Sequence, residues 1–496
     1  MSQQGVLAAL ATGEFISIGA RMHEIAAEKP DAPALTANDE TLTWIQLHKR
    51  TNRMARGMLA KGVKFGDFVT IALPNGIAFV EACYACWKIG ATPQPVSSRL
   101  PAGELAAIIE LANSPIVVAN PPMQSPRPVI TAEALLAASA DDSDLPDAIA
   151  PSYKAPTSGG STGRPKLIVS GTRGVTVKGG VEGSFWRYDG NSTVLMPGPL
   201  YHNGPFGCVF GALNAGAHVV VMPKFDAEST LRDIEKYKAD WVYLVPTMMS
   251  RIWRLENREQ YDVSSLKTLW HLAAPCPPHL KEAYINWLGG DVIMELYAGT
   301  EAQAVTVITG TEWLDHRGSV GRVMGGGRMA AFGPDGTELP VGETGEIYML
   351  RDPALPPSYR YVGAEPRTLP GGWESLGDIG YFDAEGYLYL ADRRTDMILV
   401  GGANVYPAEI EAALDEHPLV ASSAVIGLPH DELGNQVHAI VQPRAGLDLE
   451  DLKKHLAERL VLYKQPRTFE VVEENVRDDA GKVRRTALRD ARIKKN

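Results

Sequence analysis

Between about residues 68 and 296 the chain alternates short β-rich runs with stretches of helical spacing, and this alternation limits the fold more than any other feature. The run at 68–73 is followed by helical spacing over 77–88 and the Pro-rich connection ATPQPVSS. Further on, AHVVVMP precedes the helically spaced DAESTLRDIEKYKAD, which leads into WVYLVP. Two more β-like runs, LKTLWHL and DVIMELY, complete the series. Strands that alternate with helices imply parallel sheets covered by helices.

The character changes twice after that. Between 318 and 392 short strands and tight turns dominate, with PDG at 334–336, GETGEI at 342–347 and AEGYLYLAD at 384–392. That pattern predicts a smaller antiparallel, β-barrel-like subdomain. After Arg393 come a strand at MILV, a helix over 407–417, the runs SSAVIGL and VHAIVQP, a helix over 448–460, and FEVVEE. Pro407 suits the first turn of its helix. At 496 residues the chain exceeds what one core supports. The expected fold class is α/β: a large N-terminal domain over 1–394, mostly parallel and helix-covered, with the β-rich subdomain at about 318–392. An α+β domain is expected over 395–496.

Composition removes several classes of function. A net charge of −11 gives no support to nucleic-acid binding. No apolar run approaches the roughly 18 residues of a membrane span. The N-terminus lacks a basic segment before its short apolar patch, so no signal peptide is expected. Four cysteines are too few for a disulfide framework. Cys83 and Cys86 form a CxxC inside VEACYACWKIG, but no second pair or nearby histidines complete a zinc site, so they read as packing residues. The expected setting is cytoplasmic.

The segment Ser158-Gly159-Gly160-Ser161-Thr162-Gly163-Arg164-Pro165-Lys166 carries the clearest chemistry. Glycines allow backbone to approach a phosphate, and hydroxyl and amide groups donate to its oxygens. The Walker A order fails, because Arg164 and Pro165 separate Gly163 from Lys166.

This loop resembles the phosphate-loop signature of the adenylate-forming superfamily of acyl-CoA ligases, luciferases and peptide-synthetase adenylation domains. Segments further along the chain, in the expected order, extend the resemblance from about residue 18 to 488. Leu200-Tyr201-His202-Asn203-Gly204 is similar to the aromatic-rich segment beside the carboxylate substrate. Glu295-Leu296-Tyr297-Ala298-Gly299-Thr300-Glu301 is similar to the segment whose tyrosine stacks near adenine, whose threonine contacts phosphate and whose last glutamate holds Mg²⁺. Ala273-Ala274-Pro275 lies where relatives line the adenine and acyl pockets. In Trp373-Glu374-Ser375-Leu376-Gly377-Asp378 the resemblance makes Asp378 the acceptor for the ribose hydroxyls, with Leu376 where most relatives have Ser or Thr. Arg393 would pair with the nucleotide, and Thr395 aligns with the hinge pivot, usually Asp or Lys. Gly401-Gly402-Ala403 would line the coenzyme A tunnel. Lys482, preceded by Gly481, aligns with the catalytic lysine, and the resemblance makes its domain, 395–496, a mobile lid.

The resemblance therefore implies an ATP-dependent acid–CoA ligase using Mg²⁺, ATP and coenzyme A. Its catalytic residues would be Lys482, His202, Thr300 and Glu301, with Glu301 the metal ligand. The nucleotide would be held by residues 158–163, Lys166, Ala273, Ala274, Pro275, Glu295, Leu296, Tyr297, Thr300, Asp378 and Arg393. His202, Phe206, Ala298 and Gly299 would border the acyl pocket. Residues 205–210 carry no carboxylate, which disfavours a free amino acid as substrate. A non-catalytic nucleotide sensor would be expected to lose Lys482 or Glu301, and both are present. Several stretches resemble ligases of bile acids and steroid side chains, with fatty and aryl acids the alternatives. Relatives suggest a homodimer.

Overall fold

The computed structural model describes residues 14–120, 123–159, 165–180, 183–393, 396–400, 403–478 and 481–493. Its central feature is a 14-stranded sheet that changes character along its width. The middle is parallel: His218–Val221, Thr193–Met196, Trp241–Leu244, Thr268–His271 and Ile293–Tyr297 run the same way in that order. Their sequences (HVVV, TVLM, WVYL, TLWH) are almost wholly buried. Strands covered on both faces need continuous apolar runs, whereas one-sided strands alternate.

From Ile293–Tyr297 onward the sheet turns antiparallel. Val305–Thr309 folds back on it, and Ser319–Met324, Tyr387–Arg393, Trp373–Phe382, Gly345–Leu350 and Arg328–Phe332 follow. The β-rich segment expected at about 318–392 thus continues the large sheet edge to edge. Among the described residues its strands do not close into a barrel. A second, four-stranded sheet is entirely parallel, in the order Thr92–Pro95, Phe68–Ala72, Val117–Ala119, Val129–Ile130.

The helix Ile77–Lys88 packs into the main core, and Cys83 and Cys86 are both fully buried free thiols. Burial pushes both thiols up, away from the reactive thiolate.

The C-terminal unit has a core of its own, built from Val405, Ile410, Leu414, Val425, Val437, Leu452 and their neighbours. Its sheet pairs Ala403–Val405, Ile398–Val400, Gly434–Pro443 and Val420–His430, with Thr468–Val471 parallel to Gly434–Pro443. Contacts with the rest of the chain include polar ones. Arg254 donates to the carbonyls of Ala421 and Asp415, both at 3.1 Å, and Arg484 lies 3.7 Å from Glu104. Polar, sparse contacts of this kind suit a unit that docks rather than fuses.

Candidate active site

The stem of the loop expected to hold phosphate is a hairpin. Thr157–Gly159 pairs antiparallel with Pro165–Ser170, placing Ser158 opposite Lys166 and Gly159 opposite Pro165. Gly160, Ser161, Thr162 and Gly163, expected to touch phosphate, lie outside the described residues. Lys166 emerges from the stem with Nζ 3.8 Å from Oε1 of Glu301 and 3.8 Å from the Tyr361 ring centroid. Tyr361 stands on Tyr359–Val362, the strand beside Pro165–Ser170, and donates a 2.5 Å hydrogen bond to Oε1 of Glu301. The Glu301 carboxylate is buried and held in one direction by these two groups. Tyr361 had no signal in the sequence beyond the run YRY, because its role depends on a strand pairing nearly 200 residues away in the chain.

The nucleotide-side residues come from two adjacent parts of the large sheet. Ile293–Tyr297 delivers Tyr297, whose hydroxyl donates to Oδ2 of Asp378 at 2.6 Å. Asp378 lies on Trp373–Phe382, in register with Arg393 on the neighbouring strand. Ala273, just past the strand Thr268–His271, has φ of +77°, where a side chain is costly. Leu376, the departure from the usual Ser or Thr, has a partner. A Cβ added at Gly299 would sit 2.2 Å from Cδ1 of Leu376 and 2.8 Å from Oε2 of Glu301. The loop 298–301 therefore closes on Leu376 only because residue 299 has no side chain.

Glu295 departs from expectation. Its carboxylate is ion-paired with the fully buried Lys281 on Pro278–Leu288 and lies 4.0 Å from Nδ1 of His271. The side chain is consumed in the interior, and only its backbone remains for a nucleotide contact. Leu296 is likewise a core residue.

A cavity of about 320 Å³ opens beside Thr300 and Ala302 and runs along the helix Asn203–Ala215. The helix presents Asn203, Gly207, Gly211 and Asn214 to it, a face with the four- and three-residue spacing of an α-helix. Tyr153, Lys154, Trp186 and Tyr188 form other walls. Phe206, expected at the acyl pocket, is turned away. It is fully buried against Phe79, Trp87, Tyr153 and Phe210. One helical position separates 206 from 207, and that rotation of about 100° decides which residue meets the cavity. Ala298 packs against the main core, and Gly299 meets Leu376 as above.

His202 caps the start of the same helix, with its ring 4.4 Å from that of Tyr201. Its Nε2 is buried without a hydrogen-bond partner among the described residues. Burial first, then the Lys482 charge, holds its imidazole down at about 4. The Lys482 charge therefore reaches His202. Lys482 sits in a tight turn in which its amide donates to Oδ1 of Asp478 and the Asp478 amide donates to its carbonyl, each at 2.9 Å. Gly481, at φ +75°, is where the turn crosses the helix Pro246–Trp253; a Cβ there would lie 2.7 Å from Oγ1 of Thr247. Ala403 is on a short strand paired with Ile398–Val400. Thr395, Gly401 and Gly402 lie outside the described residues, and Arg393 is described by its backbone only.

Comparison with known proteins fits this arrangement. A family described as AMP-binding enzyme matches residues 22–359, and its C-terminal domain matches residues 409–482. A feruloyl-CoA synthase of an Amycolatopsis species is 30% identical over 475 residues, spanning 93% of this chain and 96% of that protein. A 2-succinylbenzoate–CoA ligase of Bacillus licheniformis is 30% identical over 482 residues, spanning 92% of this chain and 97% of that protein. The solved o-succinylbenzoate CoA synthetase of Bacillus subtilis, in complex with its acyl-adenylate intermediate, has the same fold. Its TM-score is 0.83 and its identity 24%, with 96% of this chain and 98% of that chain covered.

Proposed function

The chain belongs to the AMP-binding enzyme family, and we propose that within it this protein is an ATP-dependent carboxylic acid–CoA ligase. The observation that carries the reading is a convergence. Thr300 and Asn203 line one cavity, Glu301 with Lys166 follows the first in the chain, and His202, which the Lys482 charge reaches, precedes the second. An acid lying in the cavity would present its carboxylate between a phosphate-directed group and a lysine.

A carboxylate is a poor acyl donor because its leaving group would be oxide. In the first half-reaction a carboxylate oxygen attacks the α-phosphorus of ATP, the bond to the bridging oxygen breaks, and pyrophosphate departs. Two anions must meet, so the protein's task is positioning and preorganised positive charge. Lys482 neutralises the carboxylate and α-phosphoryl oxygens. Its charge is effective there because His202, held neutral by burial, adds no competing positive charge. Asp378, oriented by Tyr297, accepts from the ribose hydroxyls, and Lys166 faces the outer phosphates.

Glu301 fits a magnesium site. Magnesium on phosphates takes one or two protein carboxylates and keeps waters, and Glu301 is a single buried carboxylate fixed beside the phosphate loop. When bound, the ion neutralises charge on the phosphate oxygens; Tyr361 and Lys166 keep its ligand aimed.

In the second half-reaction the thiol of coenzyme A attacks the acyl carbonyl and AMP leaves. For this the C-terminal unit turns about residues 394–396, withdrawing Lys482 and presenting the face around Ala403. The acid is a bulky one. Walls made of Tyr153, Trp186 and Tyr188 favour a ring-containing body, steroidal or aryl, over a straight chain.

The test is mass spectrometry of the protein with Mg·ATP, coenzyme A and a panel of cholate, a steroid side-chain acid, medium and long fatty acids, benzoate and cinnamate. One acyl-CoA formed with stoichiometric AMP supports the ligase and names its acid. Acyl-adenylate without thioester points to a different acceptor, and no AMP from any acid removes the reading.

A further inference from the structure

The cavity contains a cation that the adenylation chemistry does not use. Lys154 is fixed by its backbone: Tyr153 N donates to the Thr172 carbonyl at 2.7 Å, Ala155 N to Pro93 at 3.0 Å, and Ser170 N to Lys154 at 2.9 Å. In this extended segment Ala155 is buried in the core below, while Lys154 points the other way, into the cavity. Its Nζ rests 5.4 Å from the Tyr153 ring centroid and 5.2 Å from that of Phe206. It makes no hydrogen bond or ion pair with any described residue. Opposite it, Gly207 leaves the space open, since a Cβ there would be 3.9 Å from Nζ. A second group, on the wall of Gly207, also lacks a hydrogen-bond partner among the described residues, the buried Oδ1 of Asn203.

Removing an ammonium from water without an anionic partner is costly. Two aromatic faces recover part of that cost, but burial still pulls the Lys154 ammonium down to about 8. A lysine in this position is poorly suited to a purely aliphatic acyl chain, which would shed its remaining water and give nothing in return. An oxygen acceptor on the ligand would supply the missing partner through a charge-assisted hydrogen bond.

We infer that Lys154 is a recognition site for a second oxygen function on the substrate acid, remote from the carboxylate that is activated. The acid is therefore an oxygen-substituted one, bearing a hydroxyl, keto or second carboxylate group on its ring body. This inference rests on the ligase reading and deepens it.

The experiment compares matched acids that differ only at the remote end: cinnamate, 4-hydroxycinnamate and 4-carboxycinnamate, and in parallel 5β-cholanate with its 3-hydroxy and 3-oxo forms. Acid-dependent pyrophosphate release is followed for the unaltered protein, Lys154→Met and Lys154→Arg. The unaltered protein is expected to prefer the oxygen-bearing member of a set by about 10- to 100-fold in kcat/KM, the usual range for a hydrogen bond to a charged group. Lys154→Met should lose that preference while keeping its rate on the unsubstituted acid, and Lys154→Arg should retain part of it. Because the methionine removes an unpartnered charge, it should melt no lower than the parent. The carboxylate, hydroxyl and keto arms then separate an anionic from a neutral acceptor.

An identical preference ratio in the parent and Lys154→Met overturns the inference and leaves the ligase standing. So does an equal fall on every acid, which would make Lys154 merely structural. No pyrophosphate from any acid with the unaltered protein brings down the ligase reading, and the inference with it.

Discussion

Tyr297 and Asp378, 81 residues apart in the chain, are joined by a 2.6 Å hydrogen bond from the phenol to the carboxylate. The bond ties the end of the last parallel strand to the antiparallel part of the same sheet. It fixes an acceptor that, in our reading, the ribose hydroxyls meet. Tyr297→Phe should then raise KM for ATP about 3- to 10-fold with kcat little changed, the usual worth of one hydrogen bond. Asp378→Ala should cost about 100-fold or more in kcat/KM for ATP. Equal small effects from both would mean that Asp378 does not contact the nucleotide.

Lys482→Ala should abolish acid-dependent pyrophosphate release, with a loss on the order of 10²- to 10³-fold, the typical cost of one charge-stabilising donor. Thioester formation from supplied acyl-adenylate and coenzyme A should be retained, because that step belongs to the rotated arrangement. Parallel assays of the two half-reactions check this; equal losses in both exclude two working conformations.

Glu301→Gln should raise the magnesium concentration needed for half-maximal adenylation by about tenfold or more while leaving the acid's own binding in place. Tyr361→Phe should produce a smaller shift in the same direction, since Tyr361 orients the carboxylate without holding the ion. Magnesium titrations of the pyrophosphate rate distinguish these effects from a general loss of folding.

Gly207→Leu places a branched side chain in the cavity from a helix that tolerates it. Leucine in place of a mid-helix glycine adds about 1 kcal/mol of helix propensity, so the melting temperature should hold or rise. Turnover of ring-containing acids should drop more than about tenfold, and turnover of acetate or propionate should not fall. A uniform loss across acids of every size would show that this cavity does not receive the acyl group.

Stability should decline as pH is lowered from 6.5 towards 4. Burial holds His48, His202, His218 and His271 down at about 4, against 6.5 in the unfolded chain. Between those values the unfolded state takes up protons that the folded state refuses, so acid favours unfolding. Asp415 opposes this, because burial raises its carboxyl to about 6 and the folded state gains a proton as pH falls. Burial also raises the carboxyls of Glu81 and Asp233, while it lowers His279, His438 and His455 in the same direction as the four, so the imidazoles set the net direction. His271→Leu, which also removes two buried nitrogens that lack a hydrogen-bond partner among the described residues, should flatten the slope of melting temperature against pH. An unchanged slope would place the acid sensitivity elsewhere.

Much of the fold was legible because its signals are local. Runs such as HVVV and WVYL, bounded by helical spacing, fix parallel strands through the burial of both faces, and the glycine-rich 158–166 segment identifies its chemistry from residue types alone. The β-rich region was legible as strands but not as a continuation of the main sheet. Whether Val305–Thr309 folds back on Ile293–Tyr297 depends on edge pairing, which leaves no periodicity of its own.

The sequence by itself determined which groups are available to the proposed chemistry: the glycine-rich 158–166 segment, Glu301, Asp378, Lys482 and the glycines that let backbones approach. Only the tertiary structure decided what those groups face. It engaged Glu295 with Lys281, aimed Glu301 with Tyr361, and turned Gly207 rather than Phe206 towards the cavity. It also set Lys154 inside that cavity with aromatic faces and, among the described residues, no acid paired with it. The physical reason is that residue type fixes a side chain's chemistry, whereas its partners and its desolvation come from segments distant in the chain, through pairings and helix rotations that no local pattern encodes.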